Sequence, residues 1–261
     1  MAAHVHTPSG VVLEMPYFVG VGLGMIPTQT RVAALGHNPN IAAGAAADVT
    51  EPGGNINWLA AAATLQVSST SVNDTASGTG GRTALIGGIN SAGAAVTEIV
   101  TFNGMTPVLT VNQYRRINTF VLLTAGTSDV NEGDITLEVA GGGSIQNIMR
   151  AGYGFGRTCS YSVPTGFTLF IRSFVFTVLA ANGSGVNVAT FGFFFKRTNG
   201  AYRIPLEFQV SSSSPYRHTA DEGVMVAAGE DFCIRVTNAG QNNTNVTAAF
   251  EGILIKNSAL L

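Results

Sequence analysis

Residues 82–139 contain a series of short runs rich in β-branched and aliphatic residues, separated at near-regular spacing by polar or glycine-bearing turns. Such a pattern is typical of antiparallel β-sheets, and Asn103-Gly104 is a favoured hairpin turn. No nucleophile motif, metal-ligand cluster or phosphate loop occurs in this stretch. It therefore predicts a rigid β-sandwich with a structural role. The runs are residues 82–89, 95–102, 108–111, 116–123 and 134–139.

The pattern of short strands and turns continues to the C-terminus, which predicts an all-β fold. Three glycines at residues 141–143 mark a domain boundary, and Ile145, Ile148 and Met149 follow at helical spacing over barely one turn. We predict four parts: an extended N-terminal arm (residues 1–60), a first antiparallel β-sandwich that is Ig-like (61–143), a linker (144–156) and a second, jelly-roll-like β-sandwich (157–261).

The first 60 residues lack the regular strand pattern, and their apolar side chains need a surface from elsewhere to bury them. Three glycines at alternate positions indicate a strand that another backbone approaches closely. The only tryptophan of the chain would anchor the end of the arm against the first sandwich. We therefore predict an assembly arm, and its candidate residues are Val11, Leu13, Tyr17, Phe18, Gly20, Gly22, Gly24 and Trp58.

The composition indicates association with other protein surfaces. Only 11% of the residues are charged although 46% are hydrophobic, and about 25% charged residues is usual. Little surface charge favours association between copies, and the alternative is a neutral surface rich in Thr and Asn. The formal net charge of −2 argues against nucleic acid or an anionic membrane as a partner. No apolar run is long enough for a transmembrane helix, and no secretory signal is visible.

The sequence predicts no metal site and no cofactor. His4 and His6 supply two ligands at most, which is too few for a metal centre. Residues 129–134 begin like a calcium loop, but Ala140 stands where an EF-hand needs glutamate. The glycines of residues 20–24 do not have the spacing of a dinucleotide fingerprint.

The chain also lacks a recognisable catalytic group, so we predict that it is not an enzyme. No nucleophile elbow is present. Glu98 and Glu138 could face each other across strands as in a glycosidase, and ordinary surface charges are the alternative. Two cysteines, Cys159 and Cys233, are too few for a disulfide framework. A disulfide between them remains open, but a cytoplasmically made protein favours free thiols.

Several segments resemble marine tailed-bacteriophage (cyanophage-like) virion structural proteins. They include Met25-Ile-Pro-Thr-Gln-Thr-Arg-Val-Ala-Ala-Leu-Gly-His-Asn-Pro39, residues 61–74 and Gly78-Thr-Gly-Gly-Arg-Thr83. Residues 102–108, 116–118, 133–136 and 231–255 fit the same pattern. The resemblance spans most of the chain, and it transfers no catalytic residues. It implies a virion component that is made in the host cytoplasm.

These observations lead to one main functional hypothesis and one alternative. The main hypothesis is a capsid-associated decoration, cement or head-fibre protein that assembles through its arm as a homotrimer. Its partners would be further copies of itself and the major capsid protein or other virion proteins. The alternative is a tail adaptor or fibre whose second sandwich contacts the host receptor through residues 211–214 and 238–244. A depolymerase acting on host polysaccharide is the third hypothesis.

Overall fold

The computed structural model describes residues 2–6, 12–179, 186–197 and 200–260. Within these residues the protein consists of antiparallel strands in five sheets, one short helix and a final 3₁₀ turn, Asn257–Ala259. The prediction of an all-β fold is confirmed.

The N-terminal residues form a hairpin, a helix and a long strand. Strand β1 (Ala2–His6) pairs with β2 (Val12–Pro16), and we call these two strands the N-terminal hairpin. Helix α1 (Tyr17–Gly22) follows and packs against β3 (Gln29–Ile41). Strand β4 (Ala47–Asp48) comes next.

The first unit, residues 63–149, consists of two sheets that enclose one hydrophobic core. Alternate residues of a strand share a face, and the inward ones, such as Leu65, Ile86 and Ile135, are fully buried. The strands are β5 (Ala63–Ser69), β6 (Gly81–Ile89), β7 (Ala95–Thr101), β8 (Val108–Tyr114), β9 (Arg116–Ala125), β10 (Ile135–Val139) and β11 (Ile145–Met149). The sheet orders are β11–β10–β5–β8 and β7–β6–β9.

The second unit also has two sheets around one core, which is rich in phenylalanine. Its later strands are β12 (Ser160–Ser162), β13 (Phe167–Leu179), β14 (Val188–Arg197), β15 (Tyr202–Arg203), β16 (Glu207–Ser211), β17 (Tyr216–Val226), β18 (Glu230–Ala239) and β19 (Thr244–Lys256). One sheet has the order β17–β13–β19–β3. The other has the order β12–β18–β14–β15, with β16 on β14 and β4 on β18. The rings of Phe174 and Phe193 stack across the core at 4.1 Å between centroids.

Strand β3 corrects the prediction that residues 1–60 form an extended arm. It pairs with the C-terminal strand β19, from Gln29 opposite Ile255 to Ile41 opposite Thr244. Strand β4 likewise pairs with β18. Residues 29–48 therefore complete both sheets of the second unit, and the first unit is inserted between β4 and β12.

The glycines at residues 141–143 also differ from the prediction, because they form a hairpin turn instead of a domain boundary. Gly141 and Gly142 have φ angles of 86° and 78°, a region that glycine adopts at little cost. The amide of Val139 donates to the carbonyl of Ser144 at 3.0 Å, next to this turn. Strand β11 pairs with β10, so the first half of the predicted linker is a strand of the first unit. Its apolar residues are extended, not helical.

Candidate functional site

The two units are joined by a buried ion pair. Arg116 on β9 binds Asp231 on β18, with Nε–Oδ1 at 2.9 Å and Nη2–Oδ2 at 2.8 Å. Their side chains are 9% and 4% exposed, and the Ser162 hydroxyl donates to Asp231 at 2.6 Å. A bidentate pair between a planar guanidinium and a carboxylate fixes both distance and orientation. The contact therefore holds the first unit at one angle to the second.

Glu51 forms a second connection at the same junction. Its carboxylate is 3% exposed, and it accepts hydrogen bonds from Arg150 Nε at 2.9 Å and Arg157 Nη2 at 2.7 Å. It also contacts His37 Nδ1 on β3 at 2.8 Å. Arg150 continues to Asp134 of the first unit at 2.6 Å. The chain between β4 and the first unit is therefore part of the junction and does not extend from the body.

Trp58 lies at this junction rather than on a free arm. The guanidinium of Arg116 stacks over its ring at 5.1 Å from the centroid, and Arg116 Nη1 also donates to the carbonyl of Leu59 at 2.8 Å. A cation over an indole face is attracted by the negative face of the ring. The only tryptophan therefore reports on the contact between the units.

A third acidic residue joins strands within the second unit. Glu230 on β18 binds Arg197 at 2.9 Å and Arg203 at 2.6 Å, and it accepts a hydrogen bond from the amide of Ala227. Burial alone would raise the pKa of Glu230. The Ala227 amide and the two arginines outweigh burial, so the pKa lies below its ordinary value.

The cysteines supply no reactive thiol. Cys159 and Cys233 are free and fully buried, and burial raises the pKa of both thiols. A thiol is a nucleophile only as the thiolate. These two side chains are therefore inert parts of the core.

The candidate carboxylate pair is divided between two sheets. Glu98 on β7 accepts hydrogen bonds from the amides of Val111 and Asn112 on β8, at 3.2 and 2.7 Å. Glu138 on β10 accepts one from Gln66 at 2.6 Å. Each carboxylate is held by its own partners, so the arrangement is structural. Glu98 bridges the two sheets and blocks the free edge of β8, and blocked edges resist pairing with other chains.

The possible calcium loop is likewise occupied by protein contacts. Asp134 binds Arg150 and the amide of Ala151. Burial would raise the pKa of Asp134, but these hydrogen bonds and the Arg150 charge lower it overall. Within the part of the chain that the structure describes, no three His, Cys, Asp or Glu side chains are grouped so that they could hold a metal ion. No helix among the described residues is long and apolar enough to cross a membrane.

The predicted assembly residues fall in several places. Val11 lies outside the described residues, and Leu13 belongs to β2 of the hairpin. Tyr17 and Phe18 open α1, and the Tyr17 hydroxyl donates to Gln29 at the start of β3. The structure therefore distributes the three described positions between the hairpin and the helix that follows it.

The three glycines differ from their predicted role. Gly20 and Gly22 lie in α1 rather than in a strand. A Cβ atom placed on Gly22 or Gly24 would meet nothing within 4 Å. No other part of the described chain therefore approaches these two positions, and their role in assembly stays a prediction. Gly24 ends the helix with a φ of 68°, a common use of glycine at a helix C-terminus.

Apolar side chains are exposed where β7 meets β8. Ile99 is 63% exposed, Leu109 59% and Val111 94%. Met105, in the connection between these strands, is 61% exposed. Contiguous exposed apolar residues mark surfaces that contact other molecules. We call these four residues the seam patch.

No family model and no curated protein matches this chain. A structure of infectious bursal disease virus, Gx strain, is 10% identical over 87% of this chain and 72% of that chain, with a TM-score of 0.24. The VP2 subviral particle of the same virus is 11% identical over 88% of this chain and 71% of that chain, with a TM-score of 0.20. Similarity at this level does not define a shared fold.

Proposed function

We propose that the protein is a non-enzymatic bacteriophage virion protein, a decoration, cement or head-fibre component of the capsid. It consists of two β-sandwich units and assembles through its N-terminal segment as a homotrimer. The observation that carries the proposal is the N-terminal hairpin, whose contacts are chiefly within itself and with α1. A two-stranded hairpin is marginally stable in water unless it packs against further structure, and α1 offers only six residues, so we infer that this hairpin gains further stability from a surface on another molecule.

The rigid junction supports the same proposal. The Arg116–Asp231 pair and the contacts of Glu51 hold the two units at a fixed angle. A protein that decorates a regular lattice must present its attachment and outward surfaces at constant separation. The seam patch supplies an apolar surface for the major capsid protein or another virion protein. The low content of charged residues is compatible with a protein whose surface is largely covered by neighbouring subunits.

The test is sedimentation velocity of the full chain and of a variant that lacks residues 1–24. This deletion stops short of β3 and therefore leaves the second unit complete. We expect the full chain to sediment as a trimer and the variant as a monomer with an unchanged far-UV circular dichroism spectrum. Binding to purified capsids should accompany the trimer. A full chain that is monomeric at micromolar concentration and binds no capsid would contradict the proposal.

One observation favours the alternative of a tail adaptor or fibre. Residues 211–214 and 238–244, the predicted receptor-contact loops, lie at the same end of the second unit because Asn187 bridges them. Asn187 is buried, its carbonyl accepts from Ser212 at 2.7 Å, and its Nδ2 donates to Thr244 Oγ1 at 2.9 Å. Immunogold labelling of virions separates the hypotheses, because label on the tail supports the alternative and label on the head supports the capsid role.

A further inference from the structure

A groove of about 510 Å³ crosses the outer face of the sheet β17–β13–β19–β3. Its floor includes a row of cross-strand neighbours, in which Leu35 lies opposite Ala249, Ala249 opposite Val175, and Val175 opposite Arg217. Phe155, from the segment before β12, lines the groove beside β3. We call this surface the outer groove. The row spans three strand spacings, so the groove is about 14 Å long.

The outer groove continues into a cleft between the two units. This cleft has a volume of about 140 Å³, and it separates residues 33–35 of β3 from residues 117–121 of β9. Among the described residues, the backbone of residues 30–35 makes no hydrogen bond beyond its pairing with β19. An edge of this kind is a template for a further strand.

The N-terminal hairpin has the dimensions and the pattern that fit this groove. Each of its strands has five residues, which corresponds to about 17 Å, and the two strands lie about 5 Å apart. The register pairs Ala3 with Met15 and Val5 with Leu13. Because alternate residues fall on opposite sides of a strand, one side of the hairpin carries apolar residues alone.

Charge is compatible with this fit. The hairpin strands carry one carboxylate, Glu14. The groove ends at Arg217, for which the described residues provide no ion-pair partner, whereas Glu251 in the groove already binds Arg31. Glu14 is paired with His4, on the other side of the hairpin from the apolar positions, so its charge does not have to enter the groove.

We propose that the outer groove of one copy receives the N-terminal hairpin of a second copy. This inference rests on the proposed function and names the surface that the assembling segment occupies. Within its own chain the hairpin lies chiefly against α1, not against the strands of the groove. A contact between two different surfaces closes into a ring when the rotation between neighbouring copies closes, and a rotation of one third of a turn would give the proposed trimer.

Cross-linking between two variants tests the contact directly. One protein carries Leu13→Cys in the hairpin, and the other carries Val175→Cys in the groove and a size tag. Both native cysteines are fully buried, so the introduced thiols are the ones that react with a short bis-maleimide. We expect a product of mixed size when the proteins are combined, and little product from either protein alone.

A groove-filling variant supplies the second measurement. Ala249→Trp places a large ring on the groove floor, and we expect it to weaken association at least about tenfold, the effect of one lost apolar contact of moderate size. Thr97→Trp, at an exposed strand position of the first unit, is the matched control and should leave association unchanged. Circular dichroism and the thermal midpoint show whether each variant remains folded.

The outcomes distinguish a failure of the groove contact from a failure of the proposed function. Oligomers that form without the mixed product, and that tolerate Ala249→Trp, would overturn the groove contact and leave assembly through the N-terminus intact. An intrachain product in a Leu13→Cys/Val175→Cys double variant, with none between copies, would also overturn it. A full chain that forms no oligomer would remove the proposed function itself.

Discussion

Replacing Asp231 by alanine should be among the most destabilising single changes in this protein. The change removes the carboxylate that Arg116 binds through both Nε and Nη2, and it also removes the acceptor of the Ser162 hydroxyl. The Arg116 guanidinium then remains buried, and its hydrogen-bond acceptors are the backbone carbonyl oxygens of Leu59 and Arg115. Breaking one side of a buried ion pair costs about 3–5 kcal/mol. That is a large part of a typical unfolding free energy of about 5–15 kcal/mol.

The assay is urea unfolding followed by two signals. Fluorescence of Trp58 reports on the junction, because its ring lies 5.1 Å from the Arg116 guanidinium, and far-UV circular dichroism reports on all strands. Glu207→Ala, at an exposed position, is the control and should change the unfolding free energy by less than about 0.5 kcal/mol.

A double replacement isolates the cause of the loss. Arg116→Met combined with Asp231→Leu should recover much of the stability, because apolar side chains replace a buried pair at little cost. A loss below about 1 kcal/mol for Asp231→Ala would refute the reasoning, since it would mean that the junction does not depend on the pair.

Three further predictions concern pH, thiols and truncation. The lowered pKa of Glu230 contributes stability that is complete above the ordinary value of 4.5 and is lost as pH falls through the lowered value. Glu230→Gln should therefore flatten the acid part of a plot of urea midpoint against pH. Cys159 and Cys233 should not react with Ellman's reagent in the native protein and should both react after unfolding. Removal of residues 1–24 should preserve cooperative unfolding but lower the thermal midpoint, because the contacts between copies are lost, whereas removal of residues 1–55 deletes β3 and Glu51 and should abolish cooperative unfolding; circular dichroism melts check both.

The strands were predictable where a continuous run of β-branched and aromatic residues marks them in the sequence. Residues 167–179 form such a run, and β13 has the same bounds. Strand β3 was not predictable in the same way. It contains Gly36 and Pro39, which suggest a turn, and its partner lies at the other end of the chain. Proline is tolerated there because β3 is an edge strand.

The junction was beyond prediction because its charges come together only in the folded chain. Arg116, Glu51 and Asp231 are far apart in the sequence and belong to no motif. One signal was available. In a chain with so few charged residues, several of them could be expected to form buried pairs, because a buried charge needs a partner. The helix α1 was missed for a local reason, because Gly20 and Gly22 are poor helix formers.

The pairing of β3 with β19 sets the order in which the protein matures during synthesis. Strand β3 ends at Ile41, and its partner β19 begins only at Thr244, about 200 residues later in the chain. At about 5–20 residues per second, β3 waits roughly 10–40 s for β19, while the first unit, whose two sheets are formed within residues 63–149, is free to fold. The edge of β3 that lines the outer groove therefore exists as a surface only after β19 has been made. Chains arrested before β19 lack it, so they cannot offer a complete groove to a growing assembly.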